Sequence, residues 1–139
     1  MSHALLTGIA RTSEPRTMLR RFLGLDAVVT GANGLAYAVA SAPLGRLLGV
    51  DAGFLLGVGL FLLVYAAAVG ALAAQARPSA AGVKLIVDAN VLWAVLSVVA
   101  PAVWLQPSTV GMLWIPAQAV VVAAFAALQW TALRADGRR

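Results

Sequence analysis

The chain has no cysteine and a single histidine, and these two scarcities remove much of the chemistry open to a small protein. Without cysteine there are no disulfides, no thiolate nucleophile and no iron–sulfur ligation. His3 stands alone in the N-terminal segment, so a metal held by His or Cys is not expected and no cofactor is implied. Charge is scarce as well, at 11% of 139 residues, against about a quarter in soluble domains. Acidic groups are the rarest: Glu14, Asp26, Asp51, Asp88 and Asp136. No nucleotide-phosphate loop, Ser/His or Cys/His nucleophile set, haem-ligand pattern or EF-hand loop occurs. Transport powered directly by ATP within this chain is thereby excluded.

What fills the sequence instead is apolar. Hydrophobic residues make up 62% of the chain, and mean hydropathy is +0.92. They gather in four runs, 23–42, 52–74, 85–105 and 110–132, each close to or above the ~20 residues a helix needs to cross a hydrocarbon core. Because lipid offers peptide groups no hydrogen-bonding partner, each run is expected to be a closed helix. The connections are short, about ten, ten and four residues, which forces neighbouring helices to run antiparallel. The expected fold is all-α, a four-transmembrane-helix antiparallel bundle over 22–133. The flanks, 1–21 and 134–139, are expected to be tails outside the membrane, the first disordered or lying at the interface. The apolar patch 4–10 is too interrupted, by Thr7 and Gly8, to serve as a signal peptide.

The net charge of +5 follows topology. Arg11, Arg16, Arg20 and Arg21 precede the first run; Arg77 and Lys84 fall in the second connection; Arg134, Arg138 and Arg139 follow the fourth run. The first connection has Arg46 against Asp51, and the third has no charge. This alternation is the positive-inside pattern, so both termini are expected in the cytoplasm. The basic ends suit anionic lipid headgroups, and nucleic acid is not an expected partner.

Polar residues inside membrane helices are costly and usually face the bundle interior. In the first run Asp26, Thr30, Asn33, Tyr37 and Ser41 fall on one stripe at about 100° per residue. A second stripe, Ala27, Gly31, Gly34, Ala38 and Ala42, suits close helix packing, and Leu25, Val28, Val29, Leu35 and Val39 suit lipid. Asn90, Trp93, Ser97, Pro101 and Trp104 share a face of the third run. Trp114, Gln118, Val122, Phe125 and Gln129 share one of the fourth. The second run has Tyr65 as its lone polar group, with Gly53/Gly57 and Ala66/Gly70 at the spacing that lets backbones approach; packing within the bundle is their expected use. Asp26, Asn90 and Gln129 lie five or six residues inside Arg21, Lys84 and Arg134, hence at a common depth of roughly 7–9 Å. If the stripes face one another, they line a polar and aromatic cavity entered from the cytoplasmic leaflet.

Asp26 is the candidate acid or base, or proton carrier. Its structural alternative is a carboxylate paired with Arg21, Lys84 or Arg134, or hydrogen-bonded to Asn90. Asp88 stands four residues after Lys84 and is expected to pair with it. Candidate ligand-binding residues are Asn33, Tyr37, Tyr65, Asn90, Trp93, Ser97, Gln118 and Gln129, each open to the alternative of interhelical glue. Trp104 and Trp114 suit an interfacial aromatic belt. Pro101 and Pro116 are expected to kink their helices.

At LGLDAVVTGANGLAY, DANVLWAVLSVV and PAQAVVVAAFAALQW the chain resembles a group of small bacterial four-span integral membrane proteins of uncharacterised function. The composition looks actinobacterial. The resemblance spans roughly 19–133 and implies a four-helix bundle in the bacterial cytoplasmic membrane; it implies no activity. The small multidrug resistance transporters are similar in architecture alone, since their Ala-Glu motif is missing. Three functional readings stand open. The first is a binder of a lipophilic small molecule, with the option of catalysis through Asp26. The second is a proton-coupled transporter acting as a dimer. The third is an accessory subunit of a larger membrane complex.

Overall fold

The structure, a computed structural model, describes residues 14–137. Among them are five helices: α1 Glu14–Val39, α2 Ser41–Leu48, α3 Ala52–Ala74, α4 Ala80–Val103 and α5 Thr109–Gly137. Four of these, all but α2, are long and apolar enough to cross a membrane. Even the shortest of the four, at 23 residues, is about 35 Å long. The expected all-α antiparallel bundle is the fold of the chain.

The helices extend beyond the apolar runs at the end carrying the termini. α1 starts at Glu14, so 14–21 is helical where a tail was expected; 1–13 lie outside the described residues. Pro15 sits in the first turn, where its missing N–H costs nothing. α5 likewise continues through Gly137. Arg16 Nε approaches Asp136 Oδ1 at 3.6 Å and ties the two extensions together.

The short helix α2 was not foreseen. Pro43 lies four residues after Val39, where its ring clashes with the Val39 carbonyl and its nitrogen has no hydrogen to donate. α1 therefore breaks at Ala40, whose ψ of 34° departs from helical values. α2 closes at Gly49 with a left-handed φ of 70°. It docks on the start of α5: Ser108 donates from N to Leu47's neighbour Leu48 O at 3.0 Å and from Oγ to Leu47 O at 2.6 Å. Asp51 caps α3, accepting from Phe54 N at 3.0 Å.

Around the bundle the order is α3, α1, α5, α4, and the ring is uneven. α1 packs closely on α3, and α4 on α5, whereas α3 and α4 scarcely touch. The small stripe on α1 meets α3 as expected: a Cβ on Gly34 would lie 2.9 Å from Gly59 O, and one on Gly59 would lie 2.7 Å from Ala38 N. Ala66 and Gly70 also face α1, against Gly31 and Ala27. Gly53 and Gly57 do not serve this contact; Gly57 has no neighbour within 4 Å where its Cβ would be. The packing face of α3 passes through Gly59, Leu62, Ala66 and Gly70, on another side of the helix from Gly57. The expected apolar back of α1, Leu25, Val28, Val29, Leu35 and Val39, points outward.

Candidate functional site

Asp26 is 2% exposed, Asn90 3% and Gln129 0%, and they meet in one network. Asp26 Oδ2 accepts from Asn90 Nδ2 at 2.9 Å and Gln129 Nε2 at 2.7 Å. Asp26 Oδ1 accepts from Thr30 Oγ1 at 2.9 Å. Asn90 Nδ2 also donates to Gln129 Oε1 at 3.1 Å. Tyr65 Oη closes the set, donating to Asn90 Oδ1 at 2.8 Å and lying 3.2 Å from Ile86 O. One cluster thus joins α1, α3, α4 and α5, and the shared depth read from the basic residues is where they meet.

Hydrogen-bond direction in this cluster is set by the carboxylate. Both Asp26 oxygens accept, so the amides of Asn90 and Gln129 turn their NH2 groups toward it. Asn90 then presents its oxygen to Tyr65, which must donate. Thr30 spends its single proton on Asp26. Both hydroxyl oxygens are left with acceptor capacity on their remaining sides.

The expected cationic partners are not there: among the described residues, the only ion pair within 4 Å is Arg16–Asp136. Asp26 is held by neutral donors, the Asn90 bond among them. Asp88 does not pair with Lys84 either; both side chains are exposed, where an ion pair gains little over solvation.

Beyond this network lies a cavity of about 770 Å³ lined from all four long helices. That volume is in the upper part of the range for small-molecule sites. Thr30, Asn33, Tyr65, Asn90 and Gln118 supply its polar groups, and Phe61, Trp93 and Trp114 its rings. Phe61 stacks on both Trp93 and Tyr65, with centroids 6.0 and 6.1 Å apart. Asp26 and Gln129 stand behind the wall, touching the lining through Thr30 and Asn90. A second cavity, about 570 Å³, occupies the cleft between α3 and α4 toward the end that carries the α2–α3 and α4–α5 connections. Phe61, Trp93, Leu96 and Gln118 border both cavities.

Of the residues singled out from sequence, Asn33, Tyr65, Asn90, Trp93 and Gln118 line the larger cavity, and Tyr37 and Ser97 line the smaller. Gln118 Nε2 donates to Ser97 Oγ at 3.1 Å, and Trp93 Nε1 approaches Gln118 Oε1 at 3.4 Å. Trp114, expected in an interfacial belt, is 43% exposed, donates to Tyr37 Oη at 2.7 Å and also lines the larger cavity. Trp104 is 75% exposed, as a belt residue would be. Phe61 was not anticipated; an apolar ring in an apolar helix carries no signal of its own.

The end of the bundle that carries the termini is closed. Between the cavity and the end carrying the termini lie the Asp26 network and a packed cluster that includes Leu19, Leu23, Val69, Val83, Val87 and Leu133. Leucine and valine fill the cross-section there, so the polar ring of Asp26, Asn90 and Gln129 forms a floor.

Protein-family models, curated proteins and solved structures were compared with the chain, and none matches it.

Proposed function

We propose that the protein is a bacterial cytoplasmic-membrane protein, with both termini in the cytoplasm, that holds a lipophilic small molecule in the larger cavity. The observation that carries this reading is a mostly apolar, ring-lined cavity that also contains Asn33, whose amide has no hydrogen-bond partner among the described residues. Polar residues used purely as glue would be paired, and an accessory bundle has no need of such a volume. Asn33 orients the ligand; Trp93 and Phe61 pack against it. Asp26 acts as a positioning residue that sets the direction of every bond in the floor. Direct acid–base catalysis by Asp26 would require a ligand to displace Thr30 or Asn90 from its oxygens.

One observation favours a second reading, passage of the ligand across the bilayer. The two cavities are stacked along the bundle and divided by the Trp93–Phe61 pair. A proton-coupled transporter would move that pair.

Native mass spectrometry of gently extracted protein tests the binding reading. Wild type is expected to carry a small-molecule adduct, lost in Val122→Trp, which places an indole in the cavity. Equal adducts in both would remove the cavity from consideration.

A further inference from the structure

We infer that the ligand is a bilayer-resident lipophilic alcohol that enters sideways, between α1 and α5, and docks its hydroxyl among Thr30, Asn33 and Tyr65. This inference rests on the binding reading above and adds the route and the ligand's chemical class.

The route follows from what is closed and what is small. The α3/α4 side of the cavity carries the bulky Phe61, Leu92 and Leu96 and is bridged by the Phe61–Trp93 stack and the Tyr65–Asn90 bond. The end carrying the termini is sealed by the packed cluster beneath the Asp26 floor. Toward the other end α1 and α5 are clamped by Trp114 Nε1 on Tyr37 Oη at 2.7 Å. Between floor and clamp the lining reaches outward through Val28, Ala32 and Ala36 on α1 and Ala117 and Val121 on α5, all exposed. Three of the five are alanine, so the side chains at this window are short, and no polar group rims it. Such an opening at mid-helix depth meets hydrocarbon.

The chemical class follows from the route and the floor together. A charged head group passing a hydrocarbon-facing window would pay heavily for desolvation, whereas a hydroxyl crosses at far smaller cost. Inside, Thr30 and Tyr65 have already given their protons to Asp26 and Asn90. Toward the cavity they offer oxygen lone pairs, so the incoming group must donate. Asn33, one helical turn from Thr30 on the same face, offers an unused N–H. A hydroxyl satisfies both demands, donating to Thr30 or Tyr65 and accepting from Asn33. An ether or ester can only accept, and so can a carboxylate.

The test is native mass spectrometry of the full chain with equimolar 1-dodecanol and its methyl ether in competition, and 1-dodecylamine in a parallel pairing. The alcohol is expected to outcompete the ether by about tenfold, the worth of one buried hydrogen bond. Thr30→Val and, separately, Tyr65→Phe should each shrink that preference, so a folding failure in one leaves the other as the readout. Ala32→Phe with Ala117→Phe should abolish uptake, while Gly57→Phe, in the α3/α4 cleft, should leave it intact. An ether bound as well as the alcohol, or an amine bound better, would overturn the ligand class while the cavity reading stands. Uptake unaffected at the α1/α5 window would overturn the route. Failure of all three probes to bind wild type would defeat this inference and the binding reading together.

Discussion

Replacing Asp26 in two ways separates its charge from its capacity to accept hydrogen bonds. In Asp26→Ala, Gln129 Nε2 loses its partner, Asn90 keeps only its bond to Gln129 for its two N–H groups, and Thr30 can turn to a backbone carbonyl. Two buried donors are stranded, each at about 1–3 kcal/mol. Membrane proteins dampen such costs, because helices separated in lipid also find partners. The expected loss is therefore about 2–4 kcal/mol. In Asp26→Asn the remaining oxygen can accept from Asn90 and Gln129, and the new NH2 can donate to Thr30 Oγ1. Only the charge assistance is lost, and relief of carboxylate desolvation offsets part of it, leaving about 1 kcal/mol. Reversible unfolding in mixed micelles with increasing SDS, followed by tryptophan fluorescence, measures both. Equal losses would show that charge, not acceptance, holds the cluster. No loss in Asp26→Ala would show that the network does not hold the helices at all.

The glycines of α3 give a paired prediction in the same assay. Gly59→Ala pushes a methyl to within 2.7 Å of Ala38 N and should cost about 1–3 kcal/mol or more as the helices part. Gly57→Ala meets open space and should stabilise by about 0.5–1 kcal/mol through helix propensity; the same sign for both would refute the packing face assigned to α3. Gly49→Ala should destabilise by more than about 2 kcal/mol, since a side chain at φ 70° is strained and its Cβ would collide with the backbone of Pro107 and Ser108; a neutral result would mean α2 is not fixed by that turn. Asp136→Asn should change stability by less than about 1 kcal/mol, because its pair with Arg16 is partly exposed. Raising the salt concentration should erase even that difference.

The bundle was readable because hydrocarbon leaves a chain so few options. Length, apolarity and short connections impose closed antiparallel helices, and the 100° repeat assigns each polar residue to a face. Counting inward from Arg21, Lys84 and Arg134 placed Asp26, Asn90 and Gln129 at one depth because the helical rise is constant. The partners of Asp26 were less legible: basic residues near it in sequence lie toward the helix ends, while neutral amides at its own level reach it. α2 was hidden by Pro43, whose effect depends on the carbonyl four residues earlier and not on hydropathy. The side of the cavity that opens depends on which helix pairs close up, and that is decided by backbone approach at Gly34 and Gly59. Phe61 and Ala117 gain their meaning from that closure alone.

The most direct test of the central claim, an interior cavity open to the bilayer, is quenching of Trp93 by lipids brominated at mid-chain. The chain is reconstituted with Trp104, Trp114 and Trp130 replaced by phenylalanine, beside the same protein carrying Ala117→Phe, so that Trp93 is the one indole emitting in both. Trp93 lines both cavities and is half-buried. The account predicts strong mid-chain quenching of the Trp93 emission that falls when Ala117→Phe narrows the window. Emission that is indifferent to brominated lipid would mean that the interior is sealed from the bilayer, and would contradict the account.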